Sequence, residues 1–389
     1  MLAQTDKGLS AFMAPMRRRV AIPINPTSPE QLYQTKLNGI RIQRLKNKLG
    51  TKSLPTAELE LKGTRAWLIG AEGQGVKEIS AILNITRLYT SAGSTAGWGR
   101  GLAICRAYSK VRKVRSGLLQ DNLAHLRWMS DETIKYWAAT QFCFLGVALQ
   151  GAVEQDWGQM VANTKAKTLI PEEKSQAMAL LRFLTPVMKS RTSVASVHGL
   201  RECMECLGGI GYCENNEEGG LMNMAKIYRD TLVNPIWEGT VNVLAEDMVR
   251  VLMDRRLANG DVMRNIFVEW VHEVLRNCSS RFGNEIEEIE DRLEGLVRSV
   301  TGAAKDELLY VGRDMLEHVE AIVCACLLTY DATVNSSPVA DEAARRWMRL
   351  STITKQPIFS VQGYEESVRM DQSIFLGSDV KGLKNAARL

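Results

Sequence analysis

The sequence predicts an α+β fold that is mostly α: a partial β-domain over residues 1–75, a long antiparallel helical bundle over 76–257, and additional C-terminal helices over 258–389. Three observations carry that prediction. Apolar and polar side chains alternate along Glu58-Leu59-Glu60-Leu61, the period of a half-buried strand. Past Gly70, Gly73 and Gly75 the period lengthens to the helical one and stays there almost to the C-terminus. Residues 136–153 carry no charge over 18 positions, as suits a helix enclosed by other helices.

The elements follow in chain order. Lys62-Gly63 is a turn dipeptide and Ala66-Trp67-Leu68-Ile69 resumes the strand character, so 58–69 reads as a β-hairpin. The glycines of Gly70-Ala71-Glu72-Gly73-Gln74-Gly75 supply positive φ ahead of a helix; the stretch lacks the Gly-Lys-Ser/Thr ending of a phosphate-cradling P-loop and follows no βαβ unit. Helices are expected over 76–115, 122–163, 171–206, 236–257, 261–278, 286–300, 303–330 and 341–354. Long helices with short joints pack antiparallel, each burying one apolar stripe. In one of them Val241, Leu244, Met248 and Val251 step by three, four and three, while Glu246, Asp247, Arg250 and Asp254 lie off that line.

Composition narrows the function classes. A chain of 389 residues, 45% hydrophobic, with 30 Gly and 10 Pro, is neither disordered nor collagen-like. The net charge, 49 − 44 = +5, is too small to identify a nucleic-acid protein. Arg17 to Arg19 and Lys110, Arg112, Lys113 and Arg115 are read as solvated faces, so no nucleic-acid partner is expected. The 8 Cys lack the density and spacing of a secreted scaffold, which places reduced thiols in an intracellular compartment. Pro23, Pro26 and Pro29 break any signal-peptide run after the arginines. Thr140, Gln141 and Gln150 within the uncharged stretch, closed by Lys135 and Glu154, argue against a membrane span. Ala387-Arg388-Leu389 has the small-basic-Leu form of a peroxisomal address, with an ordinary chain end as the alternative.

Two constellations offer chemistry. Cys203-Met204-Glu205-Cys206, with His198 before and Cys213 after, has the ligand types of a zinc site; on a helix, though, residues three apart are simply neighbours, and no second pair completes the set, so no metal is expected. More informative is Glu205-Cys206-Leu207-Gly208-Gly209-Ile210-Gly211-Tyr212, followed by Tyr228-Arg229-Asp230 and by Ile236-Trp237-Glu238-Gly239-Thr240-Val241-Asn242. It reads as a helix end, a glycine turn that lets backbone amides meet an anionic group, and a loop presenting one carboxylate beside an aromatic ring. That is a setting for a general base; the alternative is a Glu that caps the first turn of a helix.

In this order and spacing, the glycine turn, the Arg-Asp pair and the Trp-Glu-Gly-Thr loop resemble the acyl-CoA dehydrogenases, in particular the branch that includes the adaptive-response flavoproteins with extra C-terminal helices. The resemblance starts near Gly8-Leu9-Ser10-Ala11-Phe12 and includes Leu45 to Thr51. It implies FAD bound between helical and β domains, an acyl-CoA substrate, a homo-oligomer whose subunits share cofactor contacts, and an electron acceptor that the motifs leave unspecified. It implies that Glu238 is the base that removes the α-proton of an acyl thioester while a hydride leaves the β-carbon. Some relatives place the base just before an Arg of the first bundle helix; here Thr86 precedes Arg87, leaving Arg87 as a substrate-side residue and no competing acid. Gly208, Gly209 and Gly211 match the turn for the cofactor pyrophosphate, Glu205 stands where many relatives have Gln, Thr240 and Asn242 match flavin-contacting positions, and Arg112 matches an Arg that reaches the pyrophosphate across a dimer.

There are departures. Arg115 and Ser116 stand where the family motif after Arg112 has Phe and Gly. The family's N-terminal helical domain and the first half of its β-domain have no counterpart, so the sequence reads as N-terminally truncated. The expected function is an FAD-dependent acyl-CoA dehydrogenase-like oxidoreductase in fatty-acid or secondary metabolism, and the alternative is a non-catalytic remnant or assembly subunit.

Overall fold

A computed structural model describes residues 1–21, 33–115, 117–214, 223–351 and 353. The chain divides into two compact units, 1–86 and 87–389.

The first unit holds three small antiparallel sheets: β1 (Leu2–Thr5), β2 (Gly8–Met13) and β7 (Trp67–Ile69) in the order β1-β2-β7; β3 (Arg17–Ala21) with β4 (Tyr33–Leu37); and β5 (Ile40–Leu45) with β6 (Ala57–Leu61). The hairpin expected over 58–69 is not formed. Instead β6 pairs with β5, Leu61 opposite Ile40, and β7 pairs with β2, Leu68 opposite Phe12. The reason lies in the Asn38-Gly39 corner. Lys62 N–H and the Thr64 hydroxyl donate to the Gly39 carbonyl at 2.8 and 3.0 Å, and the buried Asn38 amide donates to Arg65 O at 2.7 Å and Pro15 O at 2.9 Å. Gly39 sits at φ +67°, and a Cβ there would lie 2.2 Å from Lys62 O. This corner carries residues 62–65 past β6 to a different sheet, where folding back was expected. Leu59 and Leu61, half-buried by their alternation, are exposed here.

The glycine stretch behaves as a turn. Gly70 and Gly73 have φ of +68° and +84°, Gly73 N–H donates to Ser10 Oγ at 2.8 Å, and Gly75 opens the first helix.

The helices are α1 (Gly75–Val111), α2 (Leu123–Glu154), α3 (Trp157–Met160), α4 (Lys174–Cys206), α5 (Gly209–Tyr212), α6 (Met224–Thr231), α7 (Val241–Leu252), α8 (Glu269–Arg276), α9 (Gly283–Val300), α10 (Lys305–Tyr310), α11 (Gly312–Asn335) and α12 (Pro338–Leu350). The expected segments are all helical in part, with breaks where local chemistry dictates. After α1 a two-residue ribbon forms, β8 (Lys113–Val114) with β9 (Gly117–Leu118), turning through Arg115 at φ +50°; Ser116 lies outside the described residues. Asp156 caps α3 by accepting from Gln159 N–H at 2.9 Å, which splits 122–163. Residues 236–240 are loop ahead of α7, and one π-helical turn (Met263–Val268) precedes α8.

Helices α1 and α4 run parallel, since Ser94 meets Ser193, Trp98 meets Gly199, and the Cys105 thiol donates to Cys203 O at 3.5 Å. Helix α2 runs against both, with Tyr136 beside Gly99 and Gly146 beside Leu88 and Met188. Its uncharged stretch is thereby packed against two helices, and no helix among the described residues is long and apolar enough to cross a membrane. Helix α11 completes the core, its Cys324 thiol donating to Ala138 O at 3.6 Å. The helices beyond residue 257 share one apolar cluster with α2, α4 and α7. The α7 stripe Val241, Leu244, Met248 and Val251 is buried as expected, but Asp247, off that line, is buried too.

Candidate active site

The loop 232–240 between α6 and α7 is held by bonds of its own and from α1 and α4. Val233 O accepts from the amides of Ile236 and Trp237 at 2.9 and 3.0 Å. The Asn234 amide donates to Ser94 Oγ on α1 at 2.9 Å. The Lys189 ammonium on α4 donates to Trp237 O at 2.5 Å and Gly239 O at 2.7 Å, the two carbonyls that flank Glu238. Glu238 itself has φ +56° and Gly239 φ +99°. A left-handed backbone costs a side-chain-bearing residue about 1–2 kcal/mol, so Glu238 stays there only because its surroundings fix it.

Glu238 is half-buried, while Ile236 and Trp237 are exposed; the loop is not the apolar enclosure that its sequence suggests. Nor is Glu238 in the first turn of a helix. Thr240 is the N-cap of α7, with no side-chain cap bond, and is exposed. Asn242, also exposed, accepts from Arg313 Nε at 2.7 Å.

Beneath the loop lies a buried ion cluster. Asp247 on α7 accepts from Arg87 Nη1 on α1 at 2.6 Å, and from Arg182 on α4 at 2.9 and 2.6 Å through both guanidinium amino groups. Burial pushes the Asp247 carboxyl up, but Arg182 and then Arg87 outweigh it, leaving the group below its usual range. Arg87 Nε is buried with no hydrogen-bond partner among the described residues. Lys189 is completely buried, 0% exposed. Burial, and next the neighbouring Arg87 charge, lower its ammonium to about 8, while the Glu238 carboxylate opposes the fall. Three cations and two carboxylates are thus gathered where the middle of α4 meets α1, α7 and the loop before α7.

The remaining predicted residues gather elsewhere. Gly208 turns the chain after α4 at φ +63°, and Gly211 is required by contact, since a Cβ there would lie 2.1 Å from Met204 O. The amides of Gly208 and Gly211 are spent inside the turn, on Glu205 O and Gly208 O at 2.9 Å each. A Cβ on Gly208 or Gly209 would meet nothing within 4 Å, so the surface of the turn is open. Glu205 is exposed and paired with Arg201 at 2.5 Å. Arg112 is exposed just past the end of α1. Because α1 and α4 are parallel, Arg112 and the glycine turn share one end of the bundle, about 25 Å along α4 from Lys189 at the helical rise per residue. One chain therefore brings Arg87 and Glu238 together and keeps Glu205, Gly208, Gly209, Gly211 and Arg112 apart from them. Cys203 and Cys206 are buried with Cys105 in a second apolar cluster, and no group of three metal-ligating side chains occurs among the described residues.

Sequence reasoning missed Lys189, Arg182 and Asp247. For Arg182 and Lys189 the available signal was a charge within the apolar run of α4; Asp247, off the apolar line of α7, gave none.

Residues 73–253 match the family model described as the acyl-CoA dehydrogenase C-terminal domain. Acyl-CoA dehydrogenase family member 11 of Caenorhabditis elegans is 37% identical over 215 residues, 55% of this chain and 31% of that protein. AidB of Escherichia coli K12 is 29% identical over 269 residues, 69% of this chain and 42% of that protein. The chain thus spans less than half the length of these relatives. The crystal structure of Caenorhabditis elegans ACDH-11 in complex with C11-CoA superposes with a TM-score of 0.77 at 28% identity, covering 97% of this chain and 58% of that one.

Proposed function

Residues 73–253 of this chain belong to the acyl-CoA dehydrogenase family, and from that premise we propose that Glu238 is the base of an FAD-dependent oxidation that places an α,β double bond in an acyl thioester. The observation that carries the reading is the fixed backbone that bears the carboxylate: Glu238 sits in a left-handed turn whose flanking carbonyls are pinned by a buried ammonium.

Removing a weakly acidic α-proton demands a base held at one place and angle, because misplacement erodes the gain from proximity. Glu238 accepts that proton on its carboxylate. Arg87, gripped by Asp247, is the substrate-side cation of this reading, with its buried Nε–H left without a hydrogen-bond partner among the described residues. FAD, when bound, supplies the hydride acceptor. The residues present fit the pyrophosphate end of that cofactor: an open glycine turn at Gly208 and Gly209 with the exposed Arg112 guanidinium at the same end of the bundle. Thr240 and Asn242, exposed beside Glu238, are the flavin-side positions. The separation of about 25 Å between the two groups of residues supports a homo-oligomer in which one subunit's glycine turn serves its neighbour's cofactor. The structure of a relative holding C11-CoA supports an acyl-CoA substrate.

The test is a visible spectrum followed by turnover. Purified protein should carry the flavin absorption, and Glu238→Gln should keep that colour while losing acyl-CoA oxidation by several orders of magnitude. Oxidation at the wild-type rate in the variant rejects the assignment; a folded but colourless protein that takes up no added FAD favours a non-catalytic subunit.

A further inference from the structure

We infer that Lys189 is the positioning residue of this site: by gripping the carbonyls on both sides of Glu238, its ammonium holds that residue in the left-handed turn and so sets where the carboxylate is presented. The inference rests on Glu238 being the base, but the grip is a property of the loop and is measurable without turnover.

The burial of Lys189 is the first argument. A lysine with no exposed surface is rare and must have all of its charge satisfied internally. Here both hydrogen bonds go to main-chain carbonyls one residue either side of the same position, and charge-assisted bonds of this kind are about twice as strong as neutral ones. The second argument is the backbone it holds. Trp237 O and Gly239 O face a single donor only while Glu238 keeps its positive φ; a relaxed, extended residue at 238 would swing one carbonyl away. The grip and the strained turn therefore imply one another.

Its electrostatic surroundings make the grip pH-sensitive. Arg87 on α1 repels the ammonium and Glu238 on the loop attracts it, while Asp247 on α7 is engaged by Arg87 and Arg182. Helix α2 offers no charge between residues 136 and 153, and Glu320 on α11 is taken by Arg191 at 2.5 Å. On α6, Arg229 pairs with Glu214 and Asp230 with Lys226. With burial the dominant influence, Lys189 loses its proton at about pH 8. The bonds to the loop then become neutral and weaker.

Hydrogen–deuterium exchange of the Ile236 and Trp237 amides, both bonded to Val233 O, reads the loop directly. In Lys189→Met these amides should exchange about tenfold faster or more while α11 amides stay protected, the pattern of local opening. Unchanged protection in a folded variant overturns the inference. If that variant does not fold, the wild-type protein decides: after correction for intrinsic exchange, protection of 236–237 should fall as pH rises through about 8, and a flat profile to pH 10 overturns it. Glu238→Gln separates the two ideas. Retained loop protection in that variant supports a grip on the carbonyls, whereas loosening equal to that of Lys189→Met means the carboxylate itself was the anchor and sinks the inference. Full turnover with a protected loop removes the base and leaves the grip standing.

Discussion

The Asp247 carboxylate joins Arg87 by a 2.6 Å hydrogen bond across 160 residues of chain, and the same carboxylate receives both amino groups of Arg182. One buried acid thus ties α1, α4 and α7 together directly under the loop that bears Glu238.

Asp247→Ala should be strongly destabilising. Removing one member of a buried ion pair strands the other, at a typical cost of 3–5 kcal/mol; Arg182 is partly exposed and relaxes into water, so about 3 kcal/mol is expected, most of it from Arg87. Chemical denaturation of the two proteins measures it. The pH dependence has a definite sign. The folded carboxyl titrates below its ordinary 3.8, so its contribution is complete above that value and disappears as pH falls through the lower folded pKa. The alanine variant should lack that component, and an unchanged acid limb would refute the role.

The glycine turn offers a contrast between two neighbours. Gly211→Ala forces a Cβ to within 2.1 Å of a backbone carbonyl that cannot yield, whereas Gly208→Ala meets open space and suffers only its positive φ. The second change should cost about 1–3 kcal/mol, because φ +63° with ψ −144° is a backbone that almost only glycine adopts, and the first more than that, together with displacement of the turn. Thermal melts rank them; the reverse order would show that the turn is not packed as described.

Arg112→Ala tests the cofactor end. The side chain is exposed, so stability should hold within about 0.5 kcal/mol. If Arg112 meets the pyrophosphate, losing a charged hydrogen bond worth about 1.5 kcal/mol or more should weaken flavin retention about tenfold. Equilibrium dialysis of FAD against the melting temperature separates the two effects, and unaltered retention removes Arg112 from the site.

How much was legible beforehand depended on whether a feature is local. The turn before α1 and the α7 stripe are written in adjacent residues, through glycine conformation and helical period, and both appear where expected. The supposed hairpin failed because pairing was settled by the Asn38 amide reaching Arg65 across 27 positions, a contact with no trace in the alternation of 58–69. Lys189 and Asp247 were invisible for a related reason. A charge on a helix reads as solvent-facing until its partners arrive from elsewhere, here the carbonyls of residues 237 and 239 and the guanidinium of Arg87. Family motifs single out Glu238 as the candidate base, though not what holds its loop.

A buried histidine lies far from that loop in sequence. His318 on α11 shares a 2.7 Å hydrogen bond with Arg292 Nη2 through Nδ1. A guanidinium only donates, so Nδ1 accepts and the ring is neutral, with its proton on Nε2. Burial first, then the Arg292 and Arg191 charges, lower its pKa to about 4, whereas the unfolded chain holds an ordinary histidine near 6.5. Between those values the unfolded state binds more protons than the folded one, so stability increases with pH across that window. It should be fully present above about 6.5 and fall by roughly 3 kcal/mol towards pH 4. Asn at 318 can place its side-chain oxygen towards Arg292 without titrating. Denaturation midpoints of His318→Asn should therefore lose most of the slope between pH 6.5 and 4 that the wild-type protein shows, and parallel curves for the two proteins would mean that His318 is charged in the fold.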